Sequence, residues 1–115
     1  MDDRDKLQQQ MLEIGNRYLS RTLGELASLH DLMDKVRGGL DSERAACLKD
    51  IERMAHKIYG SGAMFGFDEV SERAREVELL AAGGTQQAEF IRRLESGVAA
   101  LDEQVRAAAR ARGLA

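Results

Sequence analysis

A chain of 115 residues with a net charge of −3 is long enough for a single domain, residues 1–115, with a hydrophobic core. Its 17 basic and 20 acidic residues are interleaved, which argues against a face for DNA or RNA, and no apolar run approaches the ~20 residues that span a bilayer. The first ten residues, MDDRDKLQQQ, lack signal-peptide character, and a single cysteine excludes an internal disulfide. We therefore expect a cytoplasmic protein in which Cys47 packs as a small apolar side chain.

Helices predominate in the predicted secondary structure. The sequence has no proline and is rich in Ala, Leu, Glu, Arg and Gln, which favour helices. Glycine interrupts the helical patterns at Gly38-Gly39, at Gly66 and at Gly83-Gly84. These breaks predict four helices, over about residues 4–37, 42–64, 68–82 and 85–111.

Each of the last three helices is expected to begin at a short polar residue. The side chain of such a residue accepts a hydrogen bond from an unpaired N–H group of the first turn. The candidates are Asp41 or Ser42 for the second helix, Asp68 for the third and Thr85 for the fourth.

The first helix carries two apolar stripes that are offset around its axis. One stripe consists of Leu7, Met11, Ile14 and Tyr18, and the other of Leu19, Leu23, Leu26 and Met33. A straight helix turns only one face to a core. We therefore expect a break or bend near Gly15-Asn16, which would create an extra N-terminal helical segment.

The other three helices each carry one continuous apolar stripe with spacings of three and four residues. The stripes are Leu48, Ile51, Ala55, Ile58 and Gly62 in the second helix, Val70, Ala74, Val77 and Ala81 in the third, and Ile91, Leu94, Val98, Leu101, Val105 and Ala108 in the fourth. Amphipathic helices joined by short turns predict an all-α protein folded as an antiparallel four-helix bundle.

His56 is expected on the outer flank of the second helix, since a rotation of ~100° per residue places it more than a quarter-turn from the core stripe. Gly60 and Ala63 follow on the same side and leave a low surface, which another protein can approach closely. Gly62 lies on the core stripe, where the missing side chain lets a neighbouring helix pack closely. Gly66 is expected to end the helix.

No metal or cofactor site is predicted. The two histidines, His30 and His56, lack the cysteine or carboxylate pattern of a metal site. The sequence also has no glycine-rich nucleotide loop with its lysine, and no clustered aspartates that would bind Mg²⁺. His30 is interpreted as an ordinary surface side chain.

The stretch AHKIYGSGAMFGF, from Ala55 to Phe67, resembles the signature of histidine phosphotransfer (HPt) domains. In that signature an apolar residue follows the phosphorylated histidine at the second position, glycine at the fourth, small residues next and glycine at the tenth. These positions are occupied here by His56, Ile58, Gly60, Ser61-Gly62-Ala63 and Gly66. The ending FGF is similar to the phosphotransfer domain of chemotaxis kinases. The resemblance implies a four-helix bundle with the phosphorylated histidine exposed on a helix.

Two further positions are implied by the resemblance. Chemotaxis-type members have a carboxylate 22 residues after the histidine that hydrogen-bonds the imidazole, and Glu78 occupies this position. Many members have a lysine three residues after the histidine, where this chain has Tyr59. Positive charge for the phosphoryl group would then come from Arg53, which is best placed on the helix, or from Lys49 or Lys57.

The resemblance implies a phosphoryl carrier of a two-component phosphorelay rather than an enzyme. It would hold a phosphoryl group on His56 between receiver-domain aspartates, without a cofactor, while a response-regulator receiver or a hybrid histidine kinase supplies catalysis and Mg²⁺. With no kinase or receiver segment in the sequence, we expect a free-standing monomer that binds neither nucleic acid nor membrane. The departure at Tyr59 motivates one alternative, a phosphorylation-incompetent relative that binds and inhibits a kinase or regulator. A helical adaptor is another.

Overall fold

The computed structural model describes residues 2–84 and 87–114, which form four helices. These are α1 (Asp3–Gly38), α2 (Asp41–Met64), α3 (Asp68–Ala82) and α4 (Ala88–Ala111). α1 and α3 each contact both α2 and α4, and short connections reverse the chain between consecutive helices. The predicted all-α four-helix bundle is therefore confirmed.

The helices end at the predicted glycine breaks. Gly66 follows the C-cap residue of α2, Phe65, and has a φ of 81°, a left-handed conformation that glycine adopts without steric cost. Gly84 has a φ of 67° after the end of α3. The expected cap at Thr85 lies outside the described residues, and α4 begins at Ala88.

The N-caps predicted at Asp41 and Asp68 are wrong. Each is the first residue of its helix, while Leu40 and Phe67 occupy the N-cap positions without a side-chain cap hydrogen bond. Ser42, the other candidate for α2, lies one residue further inside the helix. The aspartates remain in the first turn, where a negative charge interacts favourably with the N-terminal end of the helix dipole.

α1 is one continuous helix, so the predicted break near Gly15 and the separate N-terminal segment are absent. That prediction required both apolar stripes of α1 to face a core. The structure leaves Leu7, Met11 and Ile14 exposed by 57%, 64% and 39%. A stripe in solvent needs no change in the direction of the helix.

The N-terminal part of α1 extends past the other three helices. Residues 3–14, here called the overhang, are all exposed, and the molecule measures 57 × 22 × 18 Å. Gly15 is the first buried residue, and a Cβ atom there would lie 2.7 Å from Nη1 of Arg112 and 3.4 Å from Cζ of Phe67. Glycine at this position therefore lets the start of α3 and the end of α4 approach α1 closely.

The core stripes predicted for α2, α3 and α4 are confirmed. All residues of the α2 and α3 stripes are buried, and the α4 stripe is buried except for Ile91 and Ala108, which are half-buried. Cys47 is a buried free thiol at the edge of this core. No helix within the described part of the chain is long and apolar enough to cross a membrane.

Candidate functional site

His56 projects from the outer face of α2. Because the apolar stripe of α2 faces the core, the side chain of His56 is left 68% exposed. Gly60 and Ala63 are exposed one and two turns further along the helix. A Cβ atom on Gly60 would meet nothing within 4 Å. The low, open surface expected beside the histidine is therefore present.

Glu78 reaches His56 from α3. Val77 and Ala81 of α3 are buried in the core, and this orientation of the helix places Glu78 at the edge of the buried face, with 7% of it exposed. One carboxylate oxygen, Oε2, contacts Nδ1 of His56, and the other, Oε1, accepts a hydrogen bond of 2.6 Å from Nη1 of Arg75. Two donors thus compensate for the burial of the carboxylate.

The protonation of Glu78 determines which nitrogen of the imidazole is free. Burial raises the pKa of Glu78, but the hydrogen bonds from Arg75 and His56 lower it by more, so its pKa lies below the usual value. An ionised carboxylate only accepts hydrogen bonds, and Nδ1 of His56 must therefore carry the proton. In the neutral ring the lone pair then resides on Nε2, the nitrogen that does not contact Glu78.

His56 borders a groove to which α2 and α3 contribute. The groove is lined by Lys49, Glu52, Arg53, His56 and Glu78. The side chain of Arg53 is 77% exposed and lies 3.6 Å from the carboxylate of Asp50. Lys57 points towards α1 instead, with Nζ 3.8 Å from Oε2 of Glu25. Of the three basic side chains predicted near the phosphoryl group, the structure brings Arg53 and Lys49 to the groove and leaves Lys57 outside it.

The chain matches one family of proteins along most of its length. A family model described as Hpt domain covers residues 17–110. The chain belongs to the Hpt domain family. Hpt domains are phosphoryl carriers that interact with histidine kinases and receiver domains in phosphorelay signalling. Comparisons with curated proteins and with solved structures gave no significant match.

Arg75 is a residue of this Hpt site that the sequence pattern did not reveal. Its guanidinium carbon lies 5.2 Å from the centre of the Tyr59 ring, a cation–π contact, and the Tyr59 and His56 rings are 6.4 Å apart. Tyr59 occupies the position of the usual lysine and here supports an arginine beside the histidine. Since Arg75 precedes Glu78 by one helical turn, this spacing is the signal that could have identified it.

Hydroxyl groups from α1 and α3 hold α2 in place directly after the histidine of the Hpt domain. Tyr18 donates to the carbonyl oxygen of Ile58 at 3.0 Å, and Ser71 donates to that of Tyr59 at 2.8 Å. A Cβ atom on Gly62 would lie 3.2 Å from the Tyr18 hydroxyl and 3.3 Å from Cβ of Ser71. The close approach expected at Gly62 thus involves both neighbouring helices, and it fixes the part of the α2 backbone that follows His56.

His30 has a partner that its sequence neighbourhood did not indicate. Its Nε2 lies 2.7 Å from Oδ2 of Asp102 on α4, and Nε of Arg106 lies 2.7 Å from Oδ1. Burial raises the pKa of Asp102, but the hydrogen bonds from His30 and Arg106 lower it by more, so that its pKa is below the usual value. In this Hpt domain the second histidine therefore links α1 to α4 through Nε2, the nitrogen that stays open in His56.

Proposed function

We propose that this Hpt domain accepts a phosphoryl group on Nε2 of His56 and passes it between receiver-domain aspartates. The observation that carries the proposal is the contact between Nδ1 of the exposed imidazole and the buried carboxylate of Glu78. A carboxylate on one ring nitrogen fixes the tautomer and makes the other nitrogen more basic. Glu78 is therefore proposed to orient and activate the nucleophile.

For the transfer step, this chain must supply a nucleophile and hold it in the correct orientation. The Nε2 lone pair of His56 attacks the phosphorus of an aspartyl phosphate on the receiver. The N–P bond forms while the P–O bond to the aspartate breaks, and the aspartate leaves as a carboxylate. The proton stays on Nδ1, and Glu78 balances the positive charge that develops on the ring. The receiver supplies the Mg²⁺ that neutralises the phosphoryl oxygens.

Two arginines support the proposal because they place positive charge next to residues that surround the acceptor histidine. Arg53 lines the groove with His56, and Arg75 lies over the ring of Tyr59. A guanidinium group pairs well with phosphoryl oxygens. Arg75, held over the ring of Tyr59, is proposed to supply the positive charge that a lysine at the position of Tyr59 supplies in other members, and this favours transfer over the phosphorylation-incompetent alternative.

The proposed receiver-binding surface follows α2 beyond the histidine. Gly60 and Ala63 keep this surface low, and Met64, one turn after Gly60, is 77% exposed. An exposed methionine adapts its side chain to different partners. The same surface would therefore serve the donor and the acceptor of the phosphoryl group in turn.

Phosphoryl uptake tests the proposal. The purified chain is incubated with Mg²⁺ and a panel of phosphorylated receiver domains, and an acid-labile, base-stable adduct is measured. We expect uptake by the unmodified chain and by His30→Gln, and none by His56→Gln. His30 is the matched control because it is also an exposed histidine bonded to a carboxylate. Uptake by His56→Gln would refute the assignment, and receiver binding without any uptake would support the inhibitory alternative.

A further inference from the structure

The overhang of α1 carries an apolar stripe that no described part of the chain covers. Leu7, Met11 and Ile14 are 57%, 64% and 39% exposed. Their spacing of four and then three residues continues to Tyr18, which is buried in the bundle. The stripe therefore extends the face that α1 turns towards the core. The Hpt family match begins at residue 17, so the stripe lies outside the region shared with the family.

The spacing of this stripe favours another helix as the element that packs against it. Leu7 and Ile14 are seven residues apart, as are Met11 and Tyr18, and this heptad repeat is the pattern by which two helices pack side by side. The overhang is about 18 Å long at 1.5 Å per residue. This part of α1 lacks the tertiary packing that stabilises the rest of the helix, and a second helix on its apolar side would supply it.

The charges beside the stripe indicate that this partner helix belongs to a second copy of the chain, in antiparallel orientation. Asp3, Gln10 and Arg17 are exposed and recur every seven residues along one flank of the stripe. In an antiparallel pair this flank meets the same flank of the other helix in reverse order. Asp3 then faces Arg17 of the second copy, Gln10 faces Gln10, and the two-fold axis creates the ion pair twice. In a parallel pair this flank would instead meet the opposite flank of the other helix, where Gln8 and Gly15 lie, and no ion pair would form.

We propose that two copies of this chain associate through their overhangs as an antiparallel two-helix coiled coil. Leu7 of each copy packs beside Met11 of the other, and the two bundles lie at opposite ends of the pair. The residues of the His56 groove take no part in the contact. Because each chain contributes only the residues of the overhang and its base, the interface is small and the dimer dissociates in the micromolar range, on the order of 10 μM.

Sedimentation equilibrium of the full chain tests the proposal, with concentrations from about 1 to about 500 μM chosen to bracket that dissociation constant. We expect a monomer–dimer equilibrium in the unmodified chain. Leu7→Glu places a charge in the interface and weakens association by about tenfold or more. Leu79→Glu is the matched control, because Leu79 on α3 is also 57% exposed but is far from the overhang in the fold. We expect the dimer of this variant to dissociate as that of the unmodified chain does.

A charge exchange tests the orientation of the pair. Asp3→Arg and Arg17→Asp each replace both ion pairs by repulsions and weaken the dimer several-fold, whereas the double variant restores it. If both single variants weaken the dimer equally and the double variant does not restore it, the antiparallel arrangement is refuted.

A chain that stays monomeric over the whole concentration range overturns the proposal. If that monomer binds a phosphorylated receiver, and Leu7→Glu weakens this binding while Leu79→Glu does not, the stripe belongs to the receiver interface instead. His56→Gln should dimerise like the unmodified chain. Failure of phosphoryl uptake and failure of dimerisation are therefore distinguishable results.

Discussion

A carboxylate is costly to bury unless hydrogen-bond donors surround it, and Glu78 has two donors of different function. Arg75 binds one oxygen, and His56 binds the other. The arginine keeps the carboxylate ionised, and the carboxylate in turn keeps a proton on Nδ1 of the imidazole. In the proposed mechanism, these three side chains on two helices together set the reactivity of Nε2 of His56.

Replacement of Glu78 by glutamine should slow phosphoryl transfer with little effect on the fold. The amide keeps the volume of the side chain but removes the negative charge that balances the ring, and loss of such a partner typically costs about 10- to 100-fold. Single-turnover transfer from a phosphorylated receiver measures the rate. Glu76→Gln is the control, since Glu76 lies on the same helix and pairs with Arg73 at 3.2 Å. An unchanged rate in Glu78→Gln would remove Glu78 from the mechanism.

Replacement of Arg75 by glutamine should make the site sensitive to acid. The folded-state pKa of Glu78 is lowered, so its carboxylate persists at neutral pH and is lost only as the pH falls through that lowered value. Without Arg75 the burial of Glu78 is less compensated and its pKa rises, so the transfer rate should decline at a higher pH than in the unmodified chain. The pH profile of the transfer rate and a carbon NMR titration of Glu78 measure this shift.

Arg73→Gln is the control for that titration. Arg73 lies on the same helix but pairs with Glu76 rather than with Glu78. Coincident pH profiles of Arg75→Gln and Arg73→Gln would show that Arg75 does not hold the carboxylate in its ionised form.

α2 combines two glycines that have opposite surroundings. Gly60 faces solvent, where an added methyl group meets nothing within 4 Å, whereas a methyl group added to Gly62 would lie 3.2–3.3 Å from atoms of Tyr18 and Ser71. One glycine keeps the outer surface low, and the other lets three helices converge behind it. Hydroxyl groups of the two neighbouring helices donate to carbonyl oxygens of α2 between the two glycines and His56.

Alanine at these two positions should therefore change stability in opposite directions. Gly62→Ala forces Tyr18 and Ser71 apart and should lower the free energy of unfolding by about 1–3 kcal/mol. Gly60→Ala removes an unfavourable residue from an open helix position and should raise it by about 0.5–1 kcal/mol. Urea unfolding measures both values. Equal effects of the two variants would contradict the packing described at Gly62.

Two clusters of imidazole, carboxylate and guanidinium groups lie on opposite pairs of helices in the bundle. The α2–α3 side holds the proposed phosphoryl site, and the α1–α4 side is tied by His30, Asp102 and Arg106. The arrangement of imidazole, carboxylate and guanidinium is repeated, but with Nε2 rather than Nδ1 bound to the acid. This second cluster links α1 to α4, whereas the proposed phosphoryl acceptor is His56.

The contribution of Asp102 to stability should depend on pH. Because the folded-state pKa of Asp102 is lowered from its usual value near 3.8, its stabilising effect is present above that value and is lost as the pH falls through the folded-state pKa. Asp102→Asn should lower the free energy of unfolding by about 1 kcal/mol at neutral pH. The difference from the unmodified chain should vanish in acid.

Urea unfolding of Asp102→Asn and of the unmodified chain at a series of pH values measures this difference in stability. Asp31→Asn is a suitable control because Asp31 is exposed next to His30 in the sequence. A difference between Asp102→Asn and the unmodified chain that stays constant into acid would contradict the role given to the ionised form.

Much of this protein could be predicted from local patterns. Helix content follows from composition, helix ends from glycine, and the core faces of α2, α3 and α4 from spacings of three and four residues. His56 was placed on the outer face by the same periodicity. These properties depend on residues within a few positions of one another, and they can therefore be predicted without knowledge of how the helices pack.

Contacts between distant residues depended on the tertiary structure. The positions of Arg75 over Tyr59 and of Asp102 against His30 depend on the rotation of one helix against another, and no periodicity within a helix specifies that rotation. The stripe at Leu7, Met11 and Ile14 has the same pattern as a core stripe, but it lies beyond the end of the bundle. The sequence determined which faces are apolar, whereas packing decided which of those faces find a partner within the chain, because burial depends on what lies opposite.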